Sequence, residues 1–174
     1  MAIQFQQSSA AATIGPAPPA AKDRAEQLVL QLLEDTSWAN ELDSRMLGIM
    51  AKYMRVMYID KDVRLFTEGE REHFLTIIAD GKINILKEDG NGKAHVVVTL
   101  NRGKTFGELS LLDGGPRSST AIATEDCTLL ILDEDSFNDL EDAQPALAAR
   151  ILRVLAKLLS QRLRMTSGRL VDHL

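Results

Sequence analysis

The sequence predicts an α+β fold in which a block of short strands lies between helical segments. Three observations support this prediction. Apolar residues recur at three- and four-residue spacing before about residue 54 and again after residue 133. Between these segments, short apolar runs alternate with turn signals such as Asp80-Gly81. The 174 residues, 45% hydrophobic and 26% charged, are enough for one domain with a sizeable core.

Composition argues against several classes of protein. The net charge of −5 argues against non-specific nucleic-acid binding. No apolar run approaches the ~20 residues that span a bilayer, so no membrane association is expected. Cys127 is the only cysteine, which excludes an internal disulfide and a multi-cysteine zinc site and favours a buried, inert thiol. Residues 1–20 are rich in Ala, Gln and Pro and predict a disordered tail without a secretory signal, so the expected location is cytoplasmic.

Residues 21–54 predict two N-terminal helices. The first has the apolar set Ala25, Leu28, Val29, Leu32 and Leu33. The second runs from Asp43 to about Tyr53, and Trp38 in the connection is expected to pack between the two helices.

Residues 55–133 predict the all-β region. The candidate strands are residues 54–59, 64–66, 74–79, 82–87, 94–100, 119–123 and 128–132. Asp89-Gly90-Asn91-Gly92 is a strong hairpin signal, because Asp, Gly and Asn tolerate positive φ. The run Val96-Val97-Val98 suggests a strand segment buried on both faces.

Residues 134–174 predict C-terminal helices. Acidic residues 133–135 open a short helix, and a long amphipathic helix runs from Pro145 to Ser167 or slightly beyond. One stripe of this helix contains Leu152, Leu155, Leu159, Arg162, Thr166 and Leu170, and Leu158 and Leu163 widen it. Its heptad-like spacing predicts a homodimer seam, with packing on the same domain as the alternative.

The segment 103–120 has the residues needed to hold a sugar phosphate. Gly107 permits a tight turn before a short helical turn at residues 108–112, whose opening amides have no intrahelical partner and can receive an anion. The Arg117 guanidinium matches phosphate oxygens in bidentate geometry, and Ser118 and Ser119 add hydroxyl donors. Glu108 accepts hydrogen bonds and suits ribose hydroxyls.

The run from Phe106 to Thr120 closely resembles the phosphate-binding cassette of the cyclic-nucleotide-binding domain family, which includes bacterial catabolite activators and regulatory subunits of cAMP-dependent kinases. The resemblance implies that Glu108 holds the ribose 2′-hydroxyl and that Arg117 pairs with the cyclic phosphate. Backbone amides near Leu109 and Ser110, with the Ser118 hydroxyl, would complete the phosphate shell.

The same resemblance extends over residues 63–132 and implies an antiparallel β-roll, a double-stranded β-helix of jelly-roll type. In such a roll the ligand lies between the strands and the cassette. The segment 65–70 is similar to the family's early turn, and Gly81 falls where the family places a turn glycine.

The end of the long helix, residues 162–167, is similar to the corresponding helix of the catabolite activators. The resemblance implies that Thr166 contacts the adenine amino group from the same chain and that Ser167 does so from a partner chain. Arg162 would support Glu108. The alternative is that Thr166 and Ser167 are surface hydroxyls near a fraying helix end.

These patterns predict a stand-alone bacterial cyclic-nucleotide sensor that binds cAMP, with cGMP possible because Ser118 could also serve guanine. It would act on an unidentified partner protein through its C-terminal helix. Only seven residues follow Ser167, so a helix-turn-helix and DNA binding are not expected. The alternatives are an activator-family transcription regulator without its own DNA-binding domain, or an interaction domain that no longer binds nucleotide. The scattered histidines 73, 95 and 173 show no metal-ligand spacing and no nucleophile–base pair is visible, so neither an enzyme nor a cofactor or metal is expected.

Overall fold

The computed structural model describes residues 19–171, with side chains from residue 22 to residue 168. It consists of two four-stranded antiparallel sheets, helices that precede them and a long helix that follows them. The predicted α+β class and its flanking helices are confirmed. Helix α1 begins at Pro19, so nearly all of the predicted tail lies outside the described residues, as does His173.

The α-helices within residues 19–171 are α1 (Pro19–Glu34), α2 (Ser44–Ala51), α3 (Glu108–Asp113), α4 (Glu134–Ala143) and α5 (Pro145–Val171). The eight strands are β1 (Arg55–Ile59), β2 (Arg64–Phe66), β3 (Phe74–Asp80), β4 (Lys82–Glu88), β5 (Ala94–Asn101), β6 (Thr105–Phe106), β7 (Thr120–Ala123) and β8 (Cys127–Asp133). All seven predicted strands are present, and each end agrees with the prediction to within one residue. The sequence did not predict β6 or the short 3-10 helix Ser37–Asn40.

The first sheet, ordered β1-β8-β3-β6, forms the middle layer of the molecule. Alternate residues of β3 and β8 point to its two faces, as the period of two requires. Leu75 and Leu132 pack with the helices in one core, whereas Ile78 and Ile131 pack toward the second sheet in another. The central strands β3 and β8 are therefore buried on both faces.

The second sheet, ordered β2-β7-β4-β5, closes the roll. The prediction that the valine run of β5 is buried on both faces is wrong, because Val96, Val97 and Val98 are 53%, 55% and 40% exposed. Since β5 is the edge strand and pairs only with β4 among the described strands, nothing in the described chain covers its faces completely.

Helix α5 buries a stripe different from the predicted seam. Leu155 is fully buried against the domain, and Arg162 turns toward the sheets. Leu152 and Leu159 are half-buried, and Leu163 is 68% exposed. One stripe of α5, with Leu155 and Arg162, therefore faces its own domain, and a neighbouring outward stripe, with Leu159 and Leu163, is more exposed. The predicted stripe combined residues of both. The side chain of Leu170 lies outside the described set. No helix within residues 19–171 is both long and apolar enough to cross a membrane.

Gly81 is the single residue between β3 and β4, which belong to different sheets. Its φ is +93°, and a Cβ atom there would lie 2.5 Å from Cys127 Sγ and 2.7 Å from the Asp126 carbonyl oxygen. Cys127 is buried as predicted, and burial raises the pKa of its thiol. A side chain at position 81 would therefore be strained and also crowded.

We expect Gly81→Ala to lower the free energy of unfolding by about 3 kcal/mol, because unfavourable positive φ and overpacking act together. Gly92→Ala is the matched control, since Gly92 also has positive φ (76°) but has open space around its Cβ position. That control should cost only about 1 kcal/mol. Urea unfolding measures both values, and equal losses would contradict the steric account.

Candidate functional site

Gly107 brings two distant segments together at the start of α3. Its φ is +74°, and it caps the helix in the left-handed conformation. A Cβ atom there would lie 2.9 Å from Arg117 Nη1 and 3.0 Å from the Phe74 carbonyl oxygen. Glycine is therefore required both by the backbone angle and by the close approach of the arginine.

Arg117 is a buried cation held by aromatic rings and oxygen atoms. Its residue is 2% exposed, and its Nη1 donates to the carbonyl oxygens of Phe74 and Gly107, both at 2.9 Å, and to Ser110 Oγ at 2.7 Å. The guanidinium carbon lies 4.1 Å from the ring centroid of Phe66 and 3.9 Å from that of Phe74, which are cation–π distances. Burial lowers the Arg117 pKa to about 10, so the side chain remains charged at neutral pH.

The two other nitrogens of Arg117 have no partner. Nε and Nη2 are buried and make no hydrogen bond within the described part of the chain. A buried donor without a partner carries a free-energy cost of about 1–3 kcal/mol. Because a guanidinium presents its donors in a planar fork, these two nitrogens suit a bidentate anion.

Glu108 is the acidic counterpart on α3. It is 2% exposed, and its Oε1 accepts a hydrogen bond from Arg162 Nη1 of α5. Its Oε2 is buried without a partner among the described residues. Arg162 also donates through Nη2 to the Thr105 carbonyl oxygen. One carboxylate oxygen is thus occupied by the helix, and the other can accept a further hydrogen bond.

Thr105 joins the site to the N-terminal helices. Its hydroxyl accepts a hydrogen bond of 2.9 Å from Trp38 Nε1 in the 3-10 helix, and both residues are buried. Trp38 is therefore a core residue, as predicted, but its contact with β6 was not foreseen. Nothing local in the sequence signals a contact across 67 residues.

These groups surround a cavity of about 650 Å³ between the second sheet, α3 and the end of α5. Ten of the eleven residues predicted from the sequence line it: Phe106, Gly107, Glu108, Leu109, Ser110, Arg117, Ser118, Ser119, Arg162 and Thr166. Ser167 does not line the cavity and is exposed. Ten of the predicted residues therefore surround one cavity, and Ser167 is not among its lining residues.

An apolar wall completes the cavity, and sequence reasoning missed it. The wall contains Ile85, Val97, Val98, Leu100 and Met165. The valines contribute because β5 is an edge strand whose partly exposed residues face the cavity. The sequence pattern identified β5 as a strand. It did not indicate that α5, whose lining residues come more than 60 positions later in the chain, lies across the cavity from β5.

The two histidines in the described part of the chain, His73 and His95, lie outside the cavity. His73 Nδ1 is 2.8 Å from Glu134 Oε2, and His95 Nε2 is 2.9 Å from Asp89 Oδ2. Neither histidine lines the cavity. Within the described range, no group of three or more His, Cys, Asp or Glu side chains could hold a metal ion.

Residues 56–144 match the family model of the cyclic nucleotide-binding domain. A CRP-like cAMP-activated global transcriptional regulator of Mycobacterium tuberculosis is 29% identical over 126 residues, which cover 72% of this chain and 54% of that protein. The cyclic AMP receptor protein of Thermus thermophilus is 36% identical over 97 residues, covering 56% and 45% of the two chains. The chain thus spans about half the length of these curated relatives.

The fold agrees with these sequence matches. The crystal structure of a cyclic nucleotide-binding domain from Methylobacillus flagellatus superimposes with a TM-score of 0.75 at 24% identity, over 87% of this chain and 85% of the other. This superposition covers more of the chain than the region matched by the family model, residues 56–144, so it also includes residues of the flanking helices.

We expect Arg162→Met to lower the free energy of unfolding by about 3 kcal/mol, because it leaves the buried Glu108 carboxylate without its cation. Adding Glu108→Gln should recover most of that loss, since a neutral amide is cheaper to bury. Arg164→Met is the matched control on the exposed side of the same helix and should change stability by less than about 0.5 kcal/mol. Urea unfolding of the parent protein and the three variants measures these changes, and equal losses in the Arg162 and Arg164 variants would contradict the pairing.

Proposed function

We propose, because the chain belongs to the cyclic nucleotide-binding domain family, that its cavity binds a cyclic nucleotide and that the ligand is cAMP. One observation carries the proposal: a buried cation and a buried carboxylate each keep unpartnered polar atoms in the same cavity. Buried polar groups are almost always hydrogen-bonded, so a pair of orphaned groups at a cavity wall favours a ligand that satisfies both.

The phosphate would bind at Arg117. Its free Nε and Nη2 can donate to two phosphate oxygens, and a charge-assisted bidentate bond recovers the cost of leaving them unpaired. Ser118 and Ser119 also line the cavity and can add hydroxyl donors. The surrounding Phe66 and Phe74 rings exclude water, which strengthens these electrostatic contacts.

The ribose would bind at Glu108. Its free Oε2 can accept a hydrogen bond from a ribose hydroxyl while Oε1 stays bound to Arg162. The backbone amides near Leu109 and Ser110, which open α3 beside Glu108, would donate to the phosphate.

The base would lie against the apolar wall. Val97, Val98 and Met165 provide contact surface, and Thr166 is the polar side chain of α5 in this part of the cavity. A hydroxyl at this position can accept from the adenine amino group, which supports cAMP over cGMP. We propose further that Ser167, exposed and outside the cavity of its own chain, contacts the base from a partner chain.

We propose that the site binds the nucleotide without hydrolysing it. The ionisable side chains along the cavity are Lys87, Glu108, Arg117 and Arg162. Glu108 is the carboxylate among them, and its Oε1 already accepts a hydrogen bond from Arg162. The site therefore fits a regulatory module better than a hydrolase.

We propose that the protein acts as a homodimer through the outward stripe of α5. Leu152, Ala156, Leu159 and Leu163 follow one another at steps of four, three and four residues, the spacing of a coiled-coil seam. This seam lies beside the buried stripe, so α5 can pack on its own domain and on a partner at the same time.

The ligand would act on this seam through Arg162. A ribose hydroxyl at Glu108 changes the hydrogen bonding of the carboxylate that holds Arg162, and Arg162 is one residue before Leu163 on the seam. A ligand shifts a conformational equilibrium only through its differential affinity for two states. The Arg162–Glu108 contact supplies such a difference, and a partner protein that contacts α5 would detect it.

We expect saturating cAMP to raise the unfolding temperature. At about 100 times the dissociation constant, the ligand stabilises the folded state by about 2.7 kcal/mol. For a domain of this size the shift is roughly 5–10 °C. Differential scanning fluorimetry with cAMP, cGMP and cyclic di-GMP measures it. A shift with cGMP alone would overturn the adenine assignment, and no shift with any of the three would favour an interaction domain that has lost nucleotide binding.

Arg117→Lys is the control for this measurement. It keeps the positive charge but loses the planar fork, so the cAMP-dependent shift should largely disappear while a folded protein remains detectable by circular dichroism. A retained shift would show that the nucleotide binds elsewhere.

We expect Leu163→Glu to convert a dimer to a monomer in analytical ultracentrifugation. It places two carboxylates at facing seam positions, where like charges are costly to bury. Gln161→Glu is the matched control, because it adds the same charge on the opposite side of α5. A monomeric parent protein, or a dimer that survives Leu163→Glu, would contradict the proposed seam.

A further inference from the structure

Lys87 lies at the end of β4 and lines the cavity, although it belongs to no part of the cassette. Its ammonium forms an ion pair with Glu68 Oε1 and donates a hydrogen bond of 2.8 Å to the Ser118 carbonyl oxygen. A lysine ammonium has three donors, so it can bridge two acceptors at once. Here it bridges the turn after β2 and the segment that carries Arg117.

Glu68 is itself held in place on two sides. Its amide donates to Thr120 Oγ1 at 2.9 Å, and its Oε2 accepts from the Glu88 amide at 3.3 Å. The hydrogen bond from Lys87 lowers the pKa of this carboxyl group, with the Glu88 amide adding to the effect. The ion pair is therefore present at neutral pH, and it joins β4, the turn and the start of β7.

The backbone of Arg117 is already fixed by the same turn. Its amide donates to the Glu70 carbonyl oxygen and its carbonyl oxygen accepts from the Gly69 amide, both at 2.8 Å. Ser118 comes next, and Lys87 holds its carbonyl oxygen from the cavity side. The orientation of one peptide plane, and hence of the serine groups that follow Arg117, depends on this contact.

We propose that Lys87 is a positioning residue that, with Glu68, orients residues 117–119 for the ligand phosphate. The inference rests on the proposed function and deepens it. Lys87 acts through the Ser118 carbonyl group, so it should affect how the phosphate is held more than whether the protein folds.

Lys82 provides a matched control on the same strand. Its ammonium forms an ion pair of 3.1 Å with Glu125 Oε2, and the two lysine side chains are about equally exposed, 50% for Lys82 and 52% for Lys87. Lys82 does not line the cavity. Lys82→Met and Lys87→Met thus each remove an ion pair of a half-exposed lysine on β4. Only Lys87→Met also removes a hydrogen bond to the Ser118 carbonyl oxygen, within residues 117–119.

The first measurement is the dissociation constant for cAMP by isothermal titration calorimetry. We expect Lys87→Met to raise it about tenfold, in the range of a lost hydrogen bond to a charged group, and Lys82→Met to change it less than about twofold. Lys87→Arg keeps a cationic donor and should restore most of the affinity. Equal values for the two methionine variants would overturn the inference.

The second measurement separates positioning from a general loss of structure. Replacing one or the other exocyclic phosphate oxygen of cAMP with sulfur gives two phosphorothioate diastereomers. Sulfur is a weaker hydrogen-bond acceptor than oxygen, and in the two diastereomers it faces different donors of the site. We expect Lys87→Met to change the ratio of their two affinities, because the donors on one side have moved. A weakening that is the same for both diastereomers would indicate a merely structural role and contradict the proposal.

The third measurement needs no ligand. Hydrogen–deuterium exchange of the amides of residues 118–120 should be about tenfold faster in Lys87→Met and unchanged in Lys82→Met, since exchange reports local opening. Failure of the parent protein to bind any cyclic nucleotide would overturn the proposed function, whereas unchanged exchange in Lys87→Met would overturn the positioning role alone. The two failures are therefore distinguishable.

Discussion

The buried guanidinium of Arg117 is the constraint on which the rest of the site depends. A cation taken out of water must be compensated by hydrogen bonds and by favourable contacts with neighbouring groups. Here Nη1 has three oxygen acceptors and the plane is flanked by the Phe66 and Phe74 rings. This arrangement requires glycine at position 107, because a side chain there would occupy the space of the arginine. The compensation leaves two nitrogens without a partner among the described residues, and these buried donors are available to an anion.

A second set of contacts ties the cavity to both ends of the chain. Thr105 on the short strand β6 accepts from Trp38 through its hydroxyl and from Arg162 through its carbonyl group. Arg162 in turn holds Glu108. Trp38, from the segment between α1 and α2, and Arg162, from α5, therefore both contact Thr105 of β6. Arg162 also contacts Glu108 of the cassette. Since packed interiors transmit strain, these contacts link Glu108 mechanically to segments outside the cavity.

The sequence predicted those parts of the site that are close together in the chain. Glu108 and Arg117 lie nine residues apart, and glycine, hydroxyl and charge patterns within that short segment carry their chemistry. The Trp38–Thr105 and Lys87–Ser118 hydrogen bonds join residues 67 and 31 positions apart, and the apolar wall joins β4 and β5 to α5, so no local pattern reports them. The valine run was misread for a related reason. Periodicity indicates that residues 96–98 form a strand, but burial depends on whether the strand lies in the centre or at the edge of its sheet.

The stripe of α5 was predicted wrongly for a geometric reason. Residues three or four positions apart lie on one face of a helix, but successive steps of three and of four drift in opposite directions around the axis. Both Leu155 and Ala156 are compatible with a stripe that begins at Leu152, and only the packed structure shows that Leu155 faces the domain. Each of these inward residues is followed directly by a residue of the outward stripe. Arg162 contacts the cassette, and the next residue, Leu163, is exposed. A rotation of α5 that releases Arg162 must therefore also turn Leu163, so the contact with Glu108 and the outward face of α5 are coupled by the helix itself.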